Sequence, residues 1–177
     1  MPDNKILEAM IENELNSLLE QSKDSTKFTP LEAKIVPLLV QRIKDSAYDL
    51  TRKMAYVKHY NTGVGNYIDV LEACESASKT AGYGNGYSAV LIDDYGLGGE
   101  YYFVEGKRKL QELASLDLIM ETGKYLRKAT VISVWKGSEC KEEHEQYNVK
   151  MEKIYRITDY GKQLLKEHRK IKSEKGA

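Results

Sequence analysis

The 177-residue chain is poor in several residue types at once, with two cysteines, three prolines, one tryptophan, two phenylalanines and three histidines. Cys74 and Cys140 are too few and too far apart for the disulfide framework of a small secreted scaffold, so a reducing, cytoplasmic setting is expected. Long apolar runs are also missing. The longest, 35–40, contains Pro37 and falls far short of the roughly 20 residues that span a bilayer, so no transmembrane helix is expected. Met1-Pro2-Asp3-Asn4-Lys5 opens without the apolar core of a signal peptide. An excess of charge of one sign is the last absence: 27 Lys plus Arg face 27 Asp plus Glu. That balance excludes a coat protein that holds nucleic acid through an overall positive field, and leaves room for a local basic face.

What is present is unevenly spread. Residues 1–60 carry nine positive and nine negative groups, 61–104 carry a net of −5, and 105–177 carry a net of +5. The acidic middle also holds eight of the 13 glycines and six of the 13 tyrosines, which gives 59–103 the look of an inserted Gly/Tyr-rich unit. Within it, Tyr67, Leu71 and Cys74 at helical spacing predict a helix over 66–80. Gly63-Val64-Gly65 and Gly82, Gly84 and Gly86 read as loops, and 88–92 with 101–104 as a short hairpin.

Helices are predicted on both sides of this material. Residues 3–22 place Ile6, Met10, Ile11, Leu15, Leu18 and Leu19 along one stripe. Thr29-Pro30-Leu31-Glu32 carries a cap, a proline at the first helical position and a capping-box glutamate. The nearly all-round apolar run that follows marks the most buried helix, with a local kink at Pro37. Asp45 or Ser46 is expected to cap a third helix toward His59. In the basic half, a helix over 103–116 leads to β-branched strands at 125–135 and 147–157 around a polar loop at 136–146. A last helix starts after Thr158.

In that half, Lys109-Leu110-Gln111-Glu112-Leu113-Ala114-Ser115-Leu116-Asp117-Leu118-Ile119 resembles the end of the recognition helix in winged helix-turn-helix regulators of the MarR and PadR kind. Asp117 stands where that family usually has glycine. Tyr155-Arg156-Ile157-Thr158-Asp159-Tyr160-Gly161-Lys162-Gln163-Leu164-Leu165 is similar to their segment leaving the wing. Phe28-Thr29-Pro30-Leu31-Glu32-Ala33 and Ser46-Ala47-Tyr48-Asp49-Leu50 resemble their first two helices. The resemblance implies an α+β, mainly helical fold. In it an N-terminal helix (1–28) precedes a winged helix-turn-helix domain over 29–158, interrupted by the insertion 59–103, and a C-terminal helix and tail follow at 159–177. It also implies that the 103–116 helix enters a major groove of double-stranded DNA and that the terminal helices form a homodimer; intramolecular packing of those helices is the other reading.

The residues that suit this task are Lys107, Arg108, Lys109 and Gln111 on that helix, where Arg and Gln can read base edges in pairs of hydrogen bonds. Arg127, Lys128, Lys136, Lys141 and Lys150 on the hairpin suit backbone or minor-groove contacts. Other chemistry finds little support. Cys140 and His144 in the acidic loop lack a second ligand pair for zinc, the glycine pieces lack the Lys-Ser/Thr of a phosphate loop, and His59, His144 and His168 lie in different elements. Neither an enzyme nor a metal or organic cofactor is expected. The function expected is sequence-specific DNA binding by a dimeric transcriptional regulator. Two alternatives are a winged-helix module whose acidic, Tyr-rich insertion contacts a protein or ligand, and a plasmid or viral replication or partition protein.

Overall fold

The structure, a computed structural model, describes residues 3–79, 100–134 and 144–176; for 78–79, 100–106, 126–134 and 144–150 it describes the backbone alone. In chain order come α1 (Asn4–Gln21), α2 (Pro30–Asp45), α3 (Leu50–Lys58), α4 (Tyr60–Lys79), α5 (Glu100–Ser115), β1 (Ile119–Val134), β2 (His144–Ile157) and α6 (Asp159–Lys175). Among the described residues the fold is mainly helical α+β, with one two-stranded antiparallel sheet.

Short polar side chains set where the helices begin. Thr29 accepts the Glu32 N–H at 3.2 Å while the Glu32 carboxylate accepts the Thr29 N–H at 2.9 Å, so the capping box is formed as read. The cap of α3 is Asp49, which accepts the Arg52 N–H at 2.8 Å, rather than Asp45 or Ser46. Those two are engaged in ending α2: Asp45 is its last residue, and the Ser46 hydroxyl donates back to the Ile43 carbonyl at 2.8 Å. The helix runs through Pro37, which sits on its exposed side.

One core joins these elements. From α2 it takes Leu31, Ile35 and Val36, from α4 Tyr67, Leu71 and Cys74, from α5 Leu110 and Leu113, from the turn after α5 Leu118, from the start of β1 Ile119, and from α6 Leu165. Each such aliphatic contributes about 1.5–3 kcal/mol by leaving water. Helix α2 is central, touching α1, α3, α4 and α6, and α4 touches α5, α6 and β2. The second half of α1 packs on α2 and α3 through Ile11, Leu15 and Leu18. Ile6 and Met10, expected on the same stripe, are 58% and 50% exposed.

Several expectations for 59–103 need correction. Nearly half of it is α4, a helix that contributes to the core, and Gly63 and Gly65 lie inside that helix rather than in a loop. Gly63 is small because α2 crosses it closely: a Cβ there would stand 2.8 Å from Leu39 Cδ1. Residues 101–104, expected as a strand, belong to α5. The loop at Gly82, Gly84 and Gly86 and the strand at 88–92 lie outside the described residues.

Helix α5 ends in a Schellman motif. The Leu118 N–H bonds to the Leu113 carbonyl at 3.2 Å and the Asp117 N–H to that of Ala114 at 3.0 Å, while Leu113 and Leu118 are both fully buried. Asp117 has φ +60°, the left-handed conformation that favours glycine and that Asp adopts more readily than most residues. The chain then enters the hairpin, whose strands start at Ile119 and His144, earlier than the expected 125 and 147. Ile119 pairs with Ile157 and Val134 with His144, and the register shifts between Glu121 and Tyr125, where Gly123 has φ +78°.

A second knot closes the base of the hairpin. The Thr158 N–H bonds to the Leu118 carbonyl at 3.0 Å, and its hydroxyl donates to the Asp117 carbonyl at 2.6 Å and accepts the Gly161 N–H at 2.9 Å as the cap of α6. Gly161 lies so close to this turn that an added Cβ would be 2.2 Å from the Leu118 oxygen. Thr158 and Gly161 thus join the end of α5 to the start of α6.

Candidate nucleic-acid interface

Helical phase divides the basic run on α5. Lys107, Arg108 and Gln111 are exposed, whereas Lys109 is 5% exposed, within the core-facing side formed by Leu110 and Leu113. Steps of 100° per residue put 107, 108 and 111 within about a quarter-turn of one another and send 109 to the far side. Lys109 is therefore not on the outer face expected for it. Its ammonium lies 5.5 Å from the centroid of the buried Tyr67 ring, and the Arg42 guanidinium lies 5.8 Å from the same ring.

The exposed cations of α5 are held by carboxylates. Lys107 meets Glu152 of β2 at 3.7 Å, and Arg108 meets Glu112 one turn along at 3.1 Å. The Glu152 side chain is only 7% exposed, so the Lys107 bridge ties the helix to the base of the hairpin. Glu112 also accepts the Tyr67 hydroxyl. Burial, together with that bond to a carboxylate, pushes the Tyr67 hydroxyl far above its ordinary range, so it stays a donor at any physiological pH.

On the hairpin the backbone places Arg127 opposite Met151 and Lys128 directly opposite Lys150, so two lysines are cross-strand partners. Lys136 and Lys141 lie outside the described residues. At the base, Lys124 and Arg156 are exposed basic residues that sequence reasoning passed over. The signal for Arg156 was in the pattern: it alternates with Tyr155 and Ile157, both buried, and so belongs to the outer side. Lys153, also exposed, bridges to Glu121 at 3.0 Å, and this carboxylate raises its pKa above the usual value.

Among the described residues, no group of three or more His, Cys, Asp and Glu side chains is placed to hold a metal ion. Cys74 is fully buried, and burial pushes its thiol well above the usual range, which keeps it protonated. Among the described residues, no helix is long and apolar enough to cross a membrane. No protein family, curated protein or solved structure matches the chain.

Proposed function

We propose that the protein binds double-stranded DNA as a winged helix-turn-helix, with α5 in the major groove and the β1–β2 hairpin as the wing, and acts as a dimeric transcriptional regulator. The observation that carries this reading is the exposed face of Lys107, Arg108 and Gln111 on a helix that runs directly into a long antiparallel hairpin. Both ends of that hairpin are fixed by the Asp117 turn and the Thr158 cap. The Lys107 and Arg108 side chains stay 56% and 47% exposed beside these carboxylates, so each keeps N–H donors open to a phosphate or a base edge. Gln111 and Arg108 supply paired hydrogen bonds for base edges, and Lys107 a phosphate contact. Ile6 and Met10, exposed on α1, offer apolar surface for the two-fold contact.

The test is a fluorescence anisotropy titration with mixed-sequence duplex, repeated across salt. Binding is expected to weaken steeply with salt, Lys107→Ala to flatten the log–log slope by about 1, and Arg108→Ala to reduce discrimination between sequences. A chain that binds no duplex at low salt overturns the reading.

A further inference from the structure

Where α1 crosses the end of α2 and the start of α3 there is an open groove of about 280 Å³. Its floor is apolar: Ile11 and Leu15, one turn apart on α1 and both buried, lie beside Leu50 at the first position of α3. Its two walls carry opposite charge. Glu8 and Glu12, also one turn apart, stand on the α1 side, whereas Lys44 in the last turn of α2 and Lys53 of α3 stand on the other. Among the described residues none of these four side chains takes part in an ion pair, with each other or with any neighbour. The Lys53 ammonium donates to the Lys44 carbonyl at 3.3 Å, which holds it at the C-terminal end of α2 and leaves two of its three N–H donors for a guest.

Two carboxylates at i and i+4 repel each other, and an ammonium placed between them turns that repulsion into two charge-assisted hydrogen bonds. The lysine wall offers the same to a carboxylate, so a guest that carries both charges satisfies both walls and a guest that carries one satisfies only half of the site. The size of the groove, at the lower edge of the roughly 300–1,000 Å³ of small-molecule sites, suits one compact guest. We propose that it binds a zwitterion with an apolar body, the chemistry shared by a free amino acid and a dipeptide with large side chains. The ammonium of the guest meets Glu8 and Glu12, its carboxylate meets Lys44 and Lys53, and its side chain covers Ile11, Leu15 and Leu50. An occupant ties α1 to α2 and α3 at once. Any effect on DNA affinity rests on the DNA-binding reading; zwitterion binding itself does not.

The test uses the full chain in a buffer free of amines and zwitterions. L-phenylalanine and the dipeptide leucyl-phenylalanine are titrated separately by calorimetry, each beside its N-acetylated and its C-amidated form, and amide resonances are mapped on the wild-type protein. Saturable one-to-one binding of at least one parent compound, with the Glu12 and Lys53 amides among those that move, is the expected result; which parent binds tells a free amino acid from a peptide. Removing either charge from the guest should weaken binding at least tenfold. The combined Glu8→Gln, Glu12→Gln change and the combined Lys44→Gln, Lys53→Gln change should each lower affinity at least fivefold, and Lys23→Ala, outside the groove, should leave it unchanged. The proposal is overturned if neither parent binds saturably, if the singly charged forms bind as tightly as their parent, if both glutamine variants retain wild-type affinity, or if the shifts avoid α1 and α3. Should the glutamine variants fail to fold, the charge-deleted guests and the wild-type amide map decide alone.

Discussion

The two sides of α5 differ in what the same residue types do there. On the outer side Lys107 and Arg108 are exposed and pair with carboxylates, one of them on the hairpin. On the inner side Lys109 is buried over an aromatic ring beside Leu110 and Leu113. Three consecutive cations thus have two different environments, decided by 100° of helical rotation. The difference teaches that a basic run along a helix reports surface charge only after its phase has been set by the apolar neighbours.

Truncations on the two sides should separate most widely. Leu113→Ala, which opens a cavity at a fully buried position, is expected to cost about 3 kcal/mol in urea denaturation. Gln111→Ala should stay within about 0.5 kcal/mol of wild type. Comparable costs at the two positions would break the comparison. Next in size is Thr158→Ala, which removes the cap of α6 and the bond to the Asp117 carbonyl. A loss of about 1–2 kcal/mol is expected, with slower protection of the α6 amides lost first in hydrogen exchange.

A pH scan probes a different part of the core, the contact between α6 and the start of α2. The His168 ring nitrogen Nδ1 lies 2.8 Å from the Thr29 hydroxyl, and burial lowers the pKa of the imidazole, with Lys172 and Arg169 acting the same way and Glu32 and Glu72 opposing. The unfolded chain therefore takes up the proton first. Stability should fall as pH drops through the ordinary value of 6.5 and level off below the folded pKa. Glu32, for which burial is outweighed by the Thr29 N–H and by Lys172, has a lowered pKa and adds a second loss below its ordinary 4.5. Thermal melts should show both limbs, and His168→Asn should remove the upper one. The smallest effect is a gain: Asp117→Gly relieves the left-handed φ and should stabilise the chain by roughly 0.5–1 kcal/mol, offset in part by the freer unfolded glycine.

Much of the fold was legible because its signals are local. The Thr29 capping box, the Thr158 cap and the apolar run of α2 depend on neighbours three or four residues apart, and each is found where the sequence put it. Gly63 misled, because a glycine at a close helix crossing looks the same in sequence as a glycine in a loop; Gly65, also inside α4, has open space around it. Residues 101–104 misled as well, since four apolar or aromatic residues fit a strand and a helix equally. In the candidate site, Lys107, Arg108 and Gln111 were read onto the face they occupy, but Lys109 was not. Its neighbour Tyr67 is 42 positions away in the chain, and no local pattern announces that contact. Arg42 was the available hint, a cation inside the helix predicted to be most buried.

The Thr158 clasp has a consequence for how the chain can vary. Its bonds join residues 117 and 118 to residue 158, so the hairpin leaves and re-enters the helical body at one point, with Ile119, Tyr155 and Ile157 at its root still in the core. The hairpin is an excursion closed at its root, and the conformational entropy of its length is separated from the core. Doubling such a loop costs only about 0.6 kcal/mol. The arm can therefore be lengthened, shortened or rewritten at its tip while α5 and α6 remain joined, and changes in reach need no change in the body that carries it.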